Sequence, residues 1–401
     1  MARGVLMLGG ATCDELVAAV ARRGLDAVAL TVPEVLERTR PAAGLAHLET
    51  VDFASPLAVL RRVKALDERY RFAAVVAVME QALELGASIA RQLRLPAPAG
   101  VAASRHKARM RRLLDEAGVA NPRWAACRSA EEAAALFAAL GGPMIVKPAS
   151  GTGSEAVSRV DAPGQVAGAF ARAAAVSHGG GVLCEEYVDG PEVSVEGCVV
   201  EGRFVPIAIT DKETGDGFVE IGHRQPTGLP AAAVDEIHRA VAAAHRALGL
   251  DRAVTHSELR LGPRGPVLVE THTRMGGGFI HLLTAATTGV DLADLMVGLA
   301  LGERPRPVPR PTGRGCAVGF LATGSGRVGA VELPPAGPEI VRGETWVREG
   351  DVVPPCRASR DRLGAAVATG RDAADAARAA AAWLADVWVE WAAEPPLAEA
   401  V

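Results

Sequence analysis

The chain opens on an unbroken apolar run, Gly4-Val5-Leu6-Met7-Leu8. A run with no polar alternation predicts a strand buried on both faces. Gly9-Gly10-Ala11 turns the chain, and Thr12 with Glu15 spells a capping box for a helix. Leu16, Ala19, Val20 and Arg23 follow at helical spacing, and Gly24 ends the helix. LDAVALTV (25–32) and FAAVVAVM (72–79) repeat the buried-strand pattern. Strand, helix and strand at this pace predict a parallel, Rossmann-like α/β domain over residues 1–100, ending near LPAPAGVAAS (95–104).

The pattern then changes. Ser104 is expected to cap a helix with Met110, Leu113, Leu114 and Ala117 on one face and Gly118 at its stop. Ser129 and Glu132 form a second capping box, for a helix ending at Gly141. Met144-Ile145-Val146 is a short buried strand, and a further helix follows it. Strands are expected at 182–186, 192–200, 203–210, 253–261 and 266–272, with helices at about 231–248 and 289–301. The proline-rich stretch 303–313, ERPRPVPRPTG, predicts a boundary. Beyond it, CAVGFLATGSGRVGAVE (316–332) suggests a β-rich domain over 303–401, closed by a helix at 371–391. The middle domain then runs from 101 to 302, with a small lid at about 120–186. The expected fold class is thus mixed, α/β followed by α+β.

Composition narrows the picture. With 49% hydrophobic and 22% charged residues and a net charge of −4, there is no basic excess to suggest nucleic acid. The six cysteines (13, 127, 184, 198, 316, 356) lie far apart without a CxxC pair, so neither zinc nor a disulfide framework is expected, and reduced thiols in a cytoplasmic protein are. The apolar stretch in MARGVLMLGGATC is too short for a signal peptide, and no run reaches 18 apolar residues, so no membrane association is expected.

Candidate chemistry gathers in four places. In PMIVKPASGTGSEAV (143–157), a buried strand ends in Lys147 and a loop of small residues, Gly151-Thr152-Gly153-Ser154. A lone lysine before glycines suggests a charge facing an anion. In AVTHSELRLGPRGPVLVETHTR (253–274), a hairpin turning about Arg264 sets Glu258 opposite Glu270 and His256 opposite His272. Opposed carboxylates repel, which makes sense if a hard divalent cation lies between them; a solvated polar face is the alternative. Arg274, followed by Met275 and three glycines, offers a cation and free backbone N–H donors to a developing negative charge. In LCEEYVDGPEVSVEG (183–197), Glu185 and Glu186 end one strand, Asp189-Gly190-Pro191 turns, and Glu192 begins the next. Carboxylates so placed can accept from ribose hydroxyls; an exposed hairpin is the alternative.

In this order, SRHKARM, VKPASGTGS, EEYVDGPE, and the acidic residues of the paired strands resemble the ATP-grasp family, and the likeness covers nearly the whole chain. The resemblance implies ATP with Mg²⁺ or Mn²⁺ as cofactors. Lys107 and Lys147 would contact phosphates, under a loop of Gly151, Thr152, Gly153 and Ser154. Glu185 and the backbone of Tyr187 and Val188 would hold adenine, and Glu192 the ribose. Lys212 would be a further phosphate contact, and Glu258 and Glu270 the metal ligands. Where the family has Glu-x-Asn, this chain has Glu270-Thr271-His272, and histidine suits Mg²⁺ less well than an amide oxygen. His272 is therefore a metal ligand or an orienting group.

GFVEIGHRQPTGLP (217–230) resembles the L-amino-acid ligases of the bacilysin type, which implies that Glu220 and His223 face amino-acid substrates. The activity implied is ATP-dependent amide or dipeptide bond formation through an acyl phosphate, with Arg274, Gly276 and Gly277 stabilising the reacting oxyanion. The partners implied are a small carboxylate and a small amine, and a homodimer is a further expectation. The main alternative is an ATP-grasp ligase or carboxylase of central metabolism, of the purine or biotin carboxylase kind. A nicotinamide dehydrogenase read from LGGATCDE lacks GxGxxG, and a non-catalytic ATP-binding module would not need Lys147, Glu258, Glu270 and Arg274 together.

Overall fold

The computed structural model describes residues 3–392, apart from 150, 152, 154, 178–180 and 216–217. Its first four strands form a parallel sheet in the order Leu45–Thr50, Asp26–Thr31, Gly4–Leu8, Ala74–Ala77. Gly4–Leu8 is buried along its whole length, as an unbroken apolar run requires. The sheet order reverses between Gly4–Leu8 and Ala74–Ala77. Crevices outside the carboxyl ends of strands at such a switch are where open α/β sheets bind ligands.

One expectation fails here in an informative way. The first helix, Asp14–Ala21, has Cys13 as its N-cap and no side-chain cap bond. Glu15 does not fold back on the helix start. Its carboxylate is held by His281, 3.3 Å away in another helix. Likewise, Ser104 lies inside a short helix, Val101–Arg105, and donates to the Val101 carbonyl; the next helix, Lys107–Glu116, begins after His106. Ser129 does cap Ala130–Leu140, and Gly141 ends it in the left-handed conformation.

An antiparallel sheet of eight strands forms the centre of the molecule. Its order is Gly265–His272, Ala253–Gly262, Glu192–Val200, Arg203–Thr214, Glu220–Gln225, Gly315–Leu321, Gly364–Gly370, Ile340–Thr345. The last three strands come from beyond residue 313, so the sheet runs across the proline-rich stretch rather than stopping there. The helix expected near 289–301 is Leu292–Ala300, and a further helix, Ile280–Thr288, precedes it. The closing helix is shorter than its composition suggested: it spans Ala373–Ala385, and Trp388–Ala392 is a strand beside Gly326–Glu332. The aromatic and β-branched residues Trp388, Val389 and Trp391 favour that strand over more helix. Among the described residues, no single helix is long and apolar enough to cross a membrane.

A smaller four-stranded sheet, Trp124–Cys127, Val182–Glu186, Met144–Pro148 and Ser158–Val160, stands over one end of the central sheet. It joins the central sheet through the turn at Gly190. There φ is +144°, and an added Cβ would lie 2.0 Å from the Leu261 carbonyl oxygen. Gly190→Ala should therefore cost at least about 1–3 kcal/mol through the backbone conformation alone, and more through the clash. Gly228→Ala, where nothing lies within 4 Å and φ is not positive, is the control. Equal thermal midpoints for the two variants would show that the turn tolerates a side chain.

Candidate active site

The cleft between the small sheet and the central sheet has a volume of about 940 Å³. Lys107, Lys147, Gly151, Gly153, Glu185, Tyr187, Val188, Glu192, Lys212, Glu220, Glu258 and Glu270 all line it. Thr152 and Ser154 lie outside the described residues. The structure thus gathers the expected residues from seven separate segments, and it sorts them into two electrically opposite ends.

The first end is rich in cations. Lys147 Nζ lies 2.6 Å from Glu185 Oε2, and Arg111 Nε lies 2.5 Å from Glu185 Oε1, all three side chains being buried. Burial alone would raise the Glu185 carboxyl, but Arg111 and Lys147 overcome it and hold the group at about 2. The same burial lowers the Lys147 ammonium despite Glu185, with Arg111 and Lys107 adding to the effect. One carboxylate between two buried cations leaves a positive excess facing the cleft. Lys107 adds to it, donating to the Gly151 carbonyl at 3.1 Å and lying 3.0 Å from Glu270 Oε2.

The second end is rich in anions. Lys212 is almost fully buried and lies within 3.0 Å of three carboxylates: Glu192 at 3.0 Å, Glu220 at 2.5 Å and Glu258 at 2.9 Å. Burial opposes its charge, yet these carboxylates hold its pKa well above the ordinary lysine value. Arg260, Arg362 and His256 approach the same three carboxylates from outside, at 3.8, 3.9 and 3.0 Å, so Lys212 is the cation they share rather than their whole counter-charge. Glu258 and Glu270 face each other, as do His256 and His272, but the turn reaches that register by an unforeseen route. Gly262 pairs with Gly265 and Leu259 with Leu268, which by itself would put Glu258 opposite Val269. A bulge between Glu258 and Leu259 shifts the pairing by one residue and restores the opposed carboxylates.

Arg111 holds that bulge. Its guanidinium donates to the Leu268 and Val269 carbonyls at 2.7 and 2.8 Å, besides its bonds to Glu185 and Asn121. The opposed carboxylates are steadied by the two histidines. His256 bridges Glu196 and Glu258, 2.9 and 3.0 Å away, and although burial disfavours its charge these carboxylates raise it to about 9. His272 has Glu80 Oε2 3.0 Å from Nδ1 and Glu270 Oε1 3.4 Å from Nε2. With a carboxylate at each ring nitrogen, His272 is placed to orient Glu270. The two carboxylates themselves offer the hard oxygen donors that Mg²⁺ takes, with room in the cleft for phosphate oxygens and water.

Toward the sheet's C-terminal strands, His223 is buried, its Nε2 3.2 Å from Glu220 Oε2, yet neither ring nitrogen has a hydrogen-bond partner. Arg362 Nη1 lies 3.9 Å from Glu220 and its guanidinium lies over Phe320. Arg274 is held by Glu80 Oε2 at 3.0 Å and by its neighbour's carbonyl. The glycines after it are required sterically. A Cβ on Gly276 would meet His256 at 2.8 Å, and one on Gly278 would meet His223 at 2.8 Å; Gly277 has open space around it. Arg274, Gly276, Gly277 and Gly278 do not line the main cleft but a second cavity of about 1130 Å³. That cavity lies at the switch point of the parallel sheet and is also lined by Cys13, Glu15, His281, Arg342 and Trp346.

Sequence reasoning missed several of these residues. Arg111 sits on the buried face of its helix, where a charge is not expected; Ala117, assigned to that face, is exposed. Glu80, buried and bound to Arg274, follows the strand at the switch point, and that topology was the available signal. Arg260 was also missed. It lies over the Tyr187 ring at 5.0 Å, 3.8 Å from Glu192, and donates to the Gly190 carbonyl. The glycine loop is gripped from the far side: Ser359 N–H donates to the Gly153 carbonyl at 3.2 Å, and Arg360 pairs with Glu155 at 2.6 Å.

The family model for the ATP-grasp domain matches residues 140–281, and that for L-amino acid ligase C-terminal domain 2 matches residues 319–392. The chain thus carries an ATP-grasp domain. More particularly, residues 319–392 form an L-amino acid ligase C-terminal domain. It is similar to the crystal structure of an L-amino acid ligase from Bacillus licheniformis, with a TM-score of 0.81 and 20% identity, covering 98% of this chain and 99% of that one, which shows the same fold. Among curated relatives, it is 32% identical over 191 residues to a D-alanine–D-alanine ligase of Acidovorax ebreus, covering 44% of this chain and 57% of that one. It is 28% identical over 237 residues to the alanine–anticapsin ligase of Bacillus subtilis, covering 53% and 50%. The chain thus spans about half the length of these two relatives.

The Glu185 cluster yields a pH test. A carboxyl lowered in the fold from 4.5 to about 2 contributes stability that is present above about 4.5 and lost as pH falls toward 2. The full contribution is on the order of 3 kcal/mol. Glu185→Gln, which leaves two buried cations uncompensated, should be less stable than wild type at pH 7 by about 3–5 kcal/mol. The gap should narrow as pH falls from 4.5 to 2. Denaturant unfolding across this range measures it, and a gap that stays constant would remove the charge account of the cluster.

Proposed function

We propose that the protein is an ATP-dependent carboxylate–amine ligase. It forms an amide or dipeptide bond through an acyl phosphate, releases ADP and phosphate, and takes an amino acid as substrate. The observation that carries this reading is the division of one cleft into a cation-rich end and an anion-rich end. A nucleoside triphosphate bound with a divalent cation has the matching polarity, with phosphate oxygens toward Lys147 and Lys107 and the cation toward Glu258 and Glu270. In this reading, the cation neutralises phosphate charge during transfer. Mg²⁺, or Mn²⁺ of similar chemistry, fits the oxygen donors present.

The remaining roles follow from position. Tyr187 and Val188 line the apolar part of the cleft where a base would lie, with Glu185 at its end. Glu192, beside Lys212 and Arg260, accepts from ribose hydroxyls. Phosphoryl transfer calls mainly for positioning and charge neutralisation. A carboxylate oxygen of the first substrate attacks the γ-phosphorus, and the bond to the β-phosphate oxygen breaks with ADP as leaving group. The amine nitrogen of the second substrate then attacks the acyl carbon. Phosphate leaves, and the nitrogen gives up its proton. Arg274, fixed by Glu80, and the N–H groups of Gly276 and Gly277, on the wall of the second cavity, would stabilise the developing oxyanion from that side. The acyl phosphate must be kept from water, and the loop at Gly151–Gly153 lies over the cleft for that purpose.

Glu220 and His223 favour an amino acid over the carboxylates of central metabolism. Glu220 shares Lys212 with two other carboxylates, so an added ammonium group improves the local balance. His223 keeps both ring nitrogens unbonded beside it. The relatives named D-alanine–D-alanine ligase and alanine–anticapsin ligase have alanine in their names, which supports the same substrate class.

Two measurements test this reading. With Mg²⁺, ATP and a carboxylic acid, the nucleotide product should be ADP; AMP with pyrophosphate would overturn the acyl-phosphate route. Glu220→Ala should raise the amino-acid KM by about 100-fold or more, the effect of removing one member of a buried charge pair, while ATP affinity stays near wild type. Normal ligation by this variant over a panel of amino-acid pairs would reject the substrate class and leave the nucleotide site standing.

A further inference from the structure

The second cavity holds a cluster that the proposed ligation does not use. Cys13 is the N-cap of the first helix, Glu15 is the second residue of that helix, and His281 is the second residue of Ile280–Thr288. Cys13 Sγ lies 3.6 Å from Glu15 Oε2, which lies 3.3 Å from His281 Nε2, and the three ligand atoms all fall within 4.8 Å of one another. All three side chains are half-buried, and all three line the cavity wall. We propose that Cys13, Glu15 and His281 form a binding site for a thiolate-accepting divalent ion of the Zn²⁺ class, separate from the magnesium site, with an open position toward the second cavity.

The dimensions fit this ion. With Zn–S near 2.3 Å and Zn–N and Zn–O near 2.0 Å, a tetrahedral centre has edges of about 3.3 Å between nitrogen and oxygen and about 3.5 Å between sulfur and oxygen. The observed 3.3 and 3.6 Å are close to two of those edges, and the Cys13–His281 pair lies within 4.8 Å. The donor set is also selective. Mg²⁺ prefers oxygen alone, whereas sulfur and imidazole together select zinc or a similar transition metal. Three protein ligands with a fourth position free is the pattern of a zinc site that meets a substrate or water.

The surrounding charge is compatible with a cation. Arg342 is the nearest guanidinium, and Glu344 pairs with it at 2.7 Å while Asp14 lies 4.0 Å away. Arg274 is paired with Glu80, and Arg362 lies beside Glu220. Glu15 and Asp14 then leave a negative surplus at the cluster. Binding breaks the Glu15–His281 contact and the Cys13 S–H bond; the thiol proton passes to solvent as the Cys13–metal bond forms. The ion's open position takes a nitrogen, oxygen or sulfur donor from a molecule in the cavity.

The local fold supports the assignment independently of ligation. Glu15, in the first turn of its helix, meets His281 of a helix 266 residues on at 3.3 Å, so two distant elements bring the three side chains together. The other described cysteines offer no competing set: Cys127, Cys184, Cys198 and Cys316 are buried in or beside strands, and Cys356 lies away from the cavity wall.

Metal binding by the full chain tests the proposal without ATP or any substrate. After dialysis against a chelator, Zn²⁺ is titrated in competition with a chromophoric chelator in excess Mg²⁺, and Co²⁺ is added in parallel for its absorption spectrum. One equivalent of Zn²⁺ should bind, and Co²⁺ should give a sulfur-to-cobalt charge-transfer band. Cys13→Ser should abolish that band, and Cys356→Ser should retain it. His281→Ala should weaken Zn²⁺ by more than the roughly 10–100-fold that loss of an outer-sphere partner costs. His281→Ala also serves as the second variant should Cys13→Ser fail to fold. Absence of any Zn²⁺ binding that survives excess Mg²⁺ would overturn the proposal, as would an undiminished thiolate band in Cys13→Ser.

Discussion

The site depends on one buried guanidinium. Arg111 reaches the Glu185 carboxylate, the Asn121 side chain and the carbonyls of Leu268 and Val269, and so joins its helix to the small sheet and to the central hairpin. Only a planar group with five donors in a fixed fork can meet four acceptors in this way; a lysine has three donors on a single atom. The carbonyls it holds belong to the bulged segment itself, where Val269 is the extra residue, and the bulge decides whether Glu270 faces Glu258. A side chain with no direct part in catalysis thus fixes both the cation-rich end of the cleft and the register of its acidic end.

That arrangement explains why so many charges are tolerated out of water. Each buried charge costs several kcal/mol unless compensated, and here compensation is deliberately unequal at each end. Two buried cations share Glu185, and three carboxylates share Lys212. The imbalance disfavours the empty cleft and is relieved by a ligand of opposite polarity. The metal-bound triphosphate of the proposed function has that polarity.

Much of this was legible in the sequence, and the reasons are local. The buried strand Gly4–Leu8, the Lys147 strand and the opposed pairs Glu258–Glu270 and His256–His272 follow from side-chain alternation, which the chain states directly. The register was legible only because two deviations offset each other: the turn is centred half a residue from Arg264, and the bulge makes up the difference. What could not be read depends on distant contacts. Thr12 and Glu15 spell a capping box, but a histidine some 266 residues away binds the glutamate more favourably. Glu80 and Arg111 look like ordinary surface charges until tertiary structure buries them. Trp388–Ala392 looks like the tail of a helix until a partner strand lies beside it.

The grip of the far end of the chain on the glycine loop has a kinetic consequence. Ser359 and Arg360 reach across to Gly153 and Glu155. The Arg360 side chain is 60% exposed, and an ion pair that open to solvent contributes about 0–1 kcal/mol. A latch this weak closes without committing the molecule to the closed form. It can shelter a water-sensitive intermediate and still let spent nucleotide escape at the end of each cycle. In the proposed ligase, turnover frequency would then depend in part on two residues that touch neither reactant, and tightening their grip would trade speed for protection.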